Sequence, residues 1–222
     1  MGKIIVMVPS LQSLTLYGRD LLLDGLEIDT PSLEYLRLMG LDTVSGSCLV
    51  ANMPNLEEAD LDVGFSDIKS LIGSITSVKW LTLSSQSSLY GNGLVFHQLE
   101  DLELSRCTVW SSNLLARLLQ DSPNLQSLEI HRNRFREGEA ITIRWTQPSR
   151  VPQCLVSTLQ TFIWVAYTGK PEERDAAVYV LENASRLETA RFSLVGTSIF
   201  RLEMRKELSD CSRGSPTCQL FF

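Results

Sequence analysis

The chain is short of histidine, and its few cysteines follow no pattern. Among 222 residues there are two histidines, His97 and His131, and they stand in different parts of the sequence. The five cysteines (Cys48, Cys107, Cys154, Cys211 and Cys218) are scattered, odd in number and never spaced as CxxC. That usage excludes a disulfide framework and gives no metal-ligand spacing. There is no GxGxxG, no phosphate-binding P-loop and no nucleophile elbow, so neither a nucleotide cofactor nor an acyl-enzyme mechanism has residues to stand on. No apolar run approaches the roughly 18 residues of a membrane helix. The first ten residues, MGKIIVMVPS, are too short for a secretory signal. Gly2 invites N-myristoylation, but Val6 stands where that motif needs Ser or Thr. Asn183-Ala184-Ser185 is a formal glycosylation sequon with no secretion signal to give it meaning. Basic excess is also missing. The net charge of −6 argues against a nucleic-acid surface. These absences point to an intracellular, cytoplasmic or nuclear, non-enzymatic protein with no cofactor.

Acidity is concentrated early. Residues 1–75 hold eleven acidic and four basic residues; the remainder holds fifteen and sixteen. An acidic first third disfavours an anionic partner and favours a basic one.

What the chain does have is self-similarity. DSPNLQSLEI (121–130) is echoed by DTPSLEYLRL (29–38) and NMPNLEEADL (52–61). The pattern L-x-x-L-x-L fits at Leu11/Leu14/Leu16, Leu33/Leu36/Leu38, Leu56/Ala59/Leu61, Val78/Leu81/Leu83, Leu99/Leu102/Leu104 and Leu125/Leu128/Ile130. Looser copies follow at Leu159/Phe162/Trp164 and Leu187/Ala190/Phe192. The steps run from 21 to 34 residues, a leucine-rich-repeat period with one long insertion. L-x-L is a strand alternation with one face buried, and a single such strand cannot bury that face alone; stacked copies share one core. A Pro-Ser or Pro-Asn pair punctuates the turn into the strand before Leu11, Leu33, Leu56 and Leu125. The position three residues after the last leucine, where Asn or Cys is common, holds Cys107 and Asn133 in two copies but Arg19, Leu41, Gly64 and Gln86 in others.

The fold class expected is therefore α/β: an irregular leucine-rich-repeat solenoid, strands on one face and short helices or coil on the other. Amphipathic helices are predicted over 66–75 and 111–120, the second capped by Ser112, and a loop over the Gly-containing stretch 84–94. HRNRFREGEAITIRW (131–145) reads as a solvated loop despite Arg132, Arg134 and Arg136, because Glu137 and Glu139 offset them. Composition changes at TQPSRVPQC (146–154), dividing repeats at 1–148 from a C-terminal module at 149–222. In that module a helix is predicted to open at Pro171-Glu172-Glu173, where Pro and acids favour a first turn, with Ala177, Val180, Leu181 and Ala184 inward. A second helix over about 199–210 is predicted to turn Leu202 and Leu208 inward, and CQLFF to close the array as a strand.

If the leucines point inward, their neighbours point outward. The outward columns place Glu58, Asp60, Asp62, Asp101, Glu103 and Glu129 among the middle repeats, with Tyr17, Tyr35, Arg37, Met39 and Trp80 beside them. Aromatics, Met and Arg are favoured interface anchors. The candidate site is an acidic, aromatic-edged strand face that takes a basic peptide or domain. The bland alternative is a solvated face whose charges keep the array soluble.

VPQCLVSTLQTFIWVAYTGKPEERDAAVYVLENASRLETARFS strongly resembles the FBD module of plant F-box/FBD/leucine-rich-repeat proteins, through Val151-Pro152-x-Cys154-Leu155, Leu159…Phe162-x-Trp164…Tyr167-x-Gly169, Glu172/Glu173 and Leu181-Glu182-Asn183-Ala184; the tail RLEMRKELSDCSRGSPTCQL also matches. Residues 1–148 resemble the repeats that precede FBD in that family. The resemblance implies an α/β FBD cap on the solenoid and a substrate-recognition role in SCF-type ubiquitin ligation, with a protein substrate as partner. Docking on the cullin–RING ligase adaptor is implied only where an F-box lies upstream, and none is read in these residues. The alternative is a stand-alone repeat-binding protein with no ligase role, a truncated or decayed member of the family.

Overall fold

The computed structural model describes residues 2–18, 23–41, 44–63, 69–85, 93–105, 114–131 and 145–222. It divides into two compact units, 1–99 and 100–222.

Unit 1 holds two parallel sheets. Strands β1 (Gly2–Met7), β3 (Leu23–Asp29) and β5 (Val44–Val50) form one, in the order β1-β3-β5. Strands β2 (Ser13–Tyr17), β4 (Tyr35–Leu41), β6 (Glu58–Val63) and β7 (Trp80–Ser85) form the other, side by side in chain order. The second sheet carries the L-x-L positions. Its ladders align Leu14 with Leu36, Leu36 with Ala59 and Ala59 with Leu81, and likewise Leu16, Leu38, Leu61 and Leu83. From the second copy onward these side chains are buried. In-register parallel stacking therefore converts a sequence period into a column of packed aliphatics, as expected.

The return segments of the first coils differ from expectation. They are strands where helix or coil was predicted. Leu23, Leu26 and Ile28 of β3 are buried together with Cys48 and Val50 of β5. Two-residue spacing at Leu26/Ile28 and Cys48/Val50 suits a pleat and not a helical face. The third return segment is helical, α1 (Lys69–Ser74), and packs on β5. Ser74 anchors it there, its hydroxyl donating to the Val50 carbonyl at 2.7 Å. Within the stretch expected to be a loop, Ser84 and Ser85 belong to β7; residues 86–92 lie outside the described residues.

Unit 2 continues the same logic with helices. Strands β8 (Asp101–Ser105), β9 (Ser127–His131), β10 (Thr161–Tyr167), β11 (Thr189–Leu194) and β12 (Gln219–Phe221) are parallel neighbours in that order. The return segments include α2 (Leu114–Asp121), α3 (Gln153–Ser157), α4 (Pro171–Asn183) and α5 (Ser198–Asp210). α2 buries Leu114, Leu115, Leu118 and Leu119 as predicted, while Ser112 lies outside the described residues. α3 was not anticipated. Its buried Cys154 donates its thiol to the Leu119 carbonyl at 3.2 Å, and that burial pushes the Cys154 pKa up to about 12. α4 opens on Pro171 as expected. Its third residue, Glu173, is buried and accepts hydrogen bonds from the Thr168 amide and hydroxyl, both at 2.8 Å, tying the loop to the first turn.

The core of unit 2 becomes aromatic toward its end. Phe162, Trp164, Tyr167 and Phe192 meet edge to face with centroids 5.4–6.0 Å apart. Tyr167 reaches this cluster because β10 bulges: the register slips between Trp164 and Tyr167, and Ala166 takes a φ of 60°. The bulge turns two consecutive residues, Ala166 and Tyr167, inward. Gly169, at φ 70°, then lets α5 close in, since a Cβ there would lie 2.7 Å from Met204 Cγ.

α5 corrects one prediction. Leu208 is inward, but Leu202 is 68% exposed; the inward partner of Leu208 is Met204. Met204 and Leu208 are four residues apart and share a face. Leu202 stands two residues from Met204, about 200° around the helix, and is turned out. β12 is the closing strand that CQLFF predicted.

Successive coils are joined by a repeated backbone device. The carbonyls of Gln12, Glu34 and Glu57 in unit 1, and of Glu100, Gln126 and Gln160 in unit 2, each accept two consecutive amides from the next coil, for example Glu34 and Tyr35 on Gln12. Just before each strand, turns such as Thr30 to Leu33, Met53 to Leu56 and Ser122 to Leu125 close i to i+3.

Candidate functional site

The eleven candidate residues fall into two groups, eight on unit 1 and three on unit 2. On unit 1 the ladders set out three rows across the sheet. The first is Ser13 and Tyr35, then Glu58, then Trp80; the second is Thr15, Arg37, Asp60, Thr82; the third is Tyr17, Met39, Asp62, Ser84. All eight candidates lie on the solvent side of the sheet, Tyr17 at 68% and Trp80 at 42% exposure.

The face is less uniformly acidic than the sequence suggested. Arg37 Nε lies 3.0 Å from Asp60 Oδ2, an ion pair without hydrogen-bond alignment. Asp60 first, then Tyr17 and Tyr35, raise the Arg37 pKa above its ordinary value. The middle row is thus neutralised from within. Beside it, Lys79 is held by Glu57 at 2.7 Å, with its ammonium 6.0 Å from the centre of the Trp80 ring.

On unit 2, Glu103 and Glu129 are directly paired across β8 and β9, with Asp101 on the adjoining row. Between the two glutamates stands a residue that the sequence did not single out for the site. His131 Nε2 lies 2.6 Å from Glu129 Oε1 and 3.9 Å from Glu103 Oε1. Its signal was its place in the outward column two residues after Glu129. Further along the same unit, Arg191 lies over Phe221 at 5.7 Å and Arg205 over Phe222 at 5.5 Å, so the β11–β12 end carries paired cations and rings. Extending the outward columns to CQLFF would have found Phe221. The arginines at 132, 134 and 136 lie outside the described residues. Among the described residues, no group of His, Cys, Asp or Glu is arranged to hold a metal ion, and no helix is long and apolar enough to cross a membrane.

In-register leucine columns, bifurcated carbonyl links and an exposed strand face define a leucine-rich-repeat protein of the α/β class. The family model for FBD matches residues 147–192, the segment from the end of the long insertion into β11. An FBD-associated F-box protein of Arabidopsis thaliana is 45% identical over the whole of this chain and 53% of its own length. Another from the same plant is 50% identical over 84% of the chain and 46% of its own, and an F-box/FBD/LRR-repeat protein is 39% identical over 98% of the chain and 53% of its own. No solved structure matches. The chain is similar along its whole length to plant FBD-associated F-box and F-box/FBD/LRR-repeat proteins, and it spans about half the length of the curated relatives it matches.

Proposed function

We propose that the chain is a non-catalytic protein-recognition segment of the kind that selects substrates for an SCF-type ubiquitin ligase, working in the cytoplasm or nucleus. The observation that carries this reading is identity of 38–50% to proteins named for an F-box, running through repeats and FBD segment alike. The strand face supplies the means. Its backbone is fixed by the ladders beneath it, so Tyr17, Tyr35, Met39 and Trp80 project from set positions, and the three aromatics have few rotatable bonds to order on binding. The acidic residues around them favour a partner with a basic segment.

The test is capture from plant cells of proteins bound to the tagged chain, beside a variant carrying Tyr17→Ala, Tyr35→Ala and Trp80→Ala. Partners lost from the variant, and stabilised in abundance when cullin activity is blocked, are the expected result. Partners that are lost from the variant but indifferent to cullin activity would favour a stand-alone binding protein. An unchanged set of partners would reject the face.

A further inference from the structure

We infer that the row Tyr35–Glu58–Trp80 on unit 1 is a seat for a single lysine or arginine side chain of the partner protein. This rests on the reading of the strand face as the recognition surface.

The ladders place Glu58 opposite Tyr35 on one side and Trp80 on the other. Parallel strands run about 4.8 Å apart, so Tyr35 and Trp80 are the immediate cross-strand neighbours of Glu58, and a cation held by its carboxylate arrives beside both aromatic residues. A carboxylate between two aromatic residues offers a charge with π-bearing side chains as its neighbours on both sides. A carboxylate or phosphate brought to the same place would be repelled by Glu58, and an aliphatic side chain would leave it desolvated without a partner.

The neighbouring rows explain why the seat is here. Asp60 faces the chain's own Arg37, which also reaches Tyr35, so the middle row is already filled by a cation of the chain's own whose charge Asp60 offsets. Among the described residues, Glu58 is exposed and in no ion pair. The chain also shows the chemistry next door in miniature: Glu57 grips Lys79, whose ammonium lies over one side of Trp80. Because Glu57 neutralises that lysine, it does not oppose a second cation arriving over Glu58. Residues 1–99, with eleven acidic and five basic side chains, draw such a group in.

The test uses hexalysine as probe, and the same peptide with every lysine acetylated as its neutral counterpart, at low ionic strength where exposed charges are least screened. The indole N–H resonance of Trp80, assigned through Trp80→Phe, reports the site. Hexalysine should move that resonance and leave the buried Trp164 in place, while the acetylated peptide moves neither. Glu58→Gln and Trp80→Leu should each weaken binding about three- to tenfold, the scale of one exposed cation–π or ion-pair contact. The double variant Arg37→Gln, Asp60→Asn, which removes the paired charges of the middle row together and leaves the net charge unchanged, should not weaken it. Failure of hexalysine to bind, or binding that ignores Glu58→Gln and Trp80→Leu, would overturn the seat. If the seat fails while the triple variant Tyr17→Ala, Tyr35→Ala, Trp80→Ala still loses its cellular partners, the face remains the recognition surface and only the cation is wrong.

Discussion

Alkaline pH should loosen unit 2 through one thiol. Cys154 is fully buried between α3 and α2, and burial raises its pKa from 9.0 to about 12. Below pH 9 the thiol is neutral in folded and unfolded chains alike and contributes no pH dependence. Above pH 9 the unfolded chain releases the proton and the folded one keeps it, so stability falls as pH rises. A tenfold difference in proton affinity between the two states is worth about 1.4 kcal/mol, giving a loss of about 1.4 kcal/mol by pH 10 and about 4 kcal/mol once pH passes 12. Tyr167, raised mainly by burial and secondarily by Glu173, adds a second loss only from about its ordinary value of 10.0 upward. The clean comparison is therefore between pH 8 and pH 10. Cys211 and Cys218 are also raised, chiefly by burial, but they are common to wild type and variant and cancel. Cys154→Ala should cost about 1 kcal/mol at neutral pH, for the thiol contact and a small cavity, yet remove the titration. Urea unfolding followed by tryptophan fluorescence should show wild type losing about 1.4 kcal/mol more than Cys154→Ala between the two pH values. Equal losses in the two proteins would refute the assignment.

Three further outcomes follow from packing. Leu102→Ala, at a side chain 1% exposed in β8, should lower stability by about 2–5 kcal/mol in thermal or urea melts. Leu208→Ala should cost a similar amount, whereas Leu202→Ala should change stability by less than about 0.5 kcal/mol, which separates the two leucines of α5 in one experiment. Gly214→Ala should destabilise by about 1–3 kcal/mol: its Cβ would lie 2.7 Å from the Glu182 carbonyl oxygen and 3.2 Å from the Ala184 backbone, and neither can swing aside. A melting temperature equal to wild type would show that the 211–218 loop lifts off α4 freely.

The strand side of the fold was legible because its signal repeats. Six copies of L-x-x-L-x-L and two looser ones mark inward positions, and within each unit the ladders align the outward columns residue by residue. The return side was less legible because each return segment solves its own local problem. β3 and β5 alternate over only a few residues, and α3 is a five-residue helix with two buried side chains, too short for a helical period to show. Leu202 misled for a related reason: apolar residues recur along α5 on more than one side, and Ile199, Phe200 and Leu202 are all exposed. In the candidate site, the columns named the residues but not their pairings. Arg37 and Asp60 stand opposite each other on β4 and β6, and His131 stands beside two glutamates; both follow only once strand neighbours are known.

The paired amides on Gln12, Glu34, Glu57, Glu100, Gln126 and Gln160 bear on how such proteins diversify. Each carbonyl fixes the phase of the next coil at the point where its strand begins, using backbone atoms alone. The arc between one strand and the next is then free to change length without shifting that phase. Steps of 22 and 23 residues in unit 1 and of 34 and 28 in unit 2 arrive at the same alignment of inward and outward side chains. An insertion or deletion in an arc is thus absorbed locally, like slack in a thread between two knots. The chain can gain or lose whole surface features on its back without a single reading error on its front, while point substitutions retune the front without touching the knots.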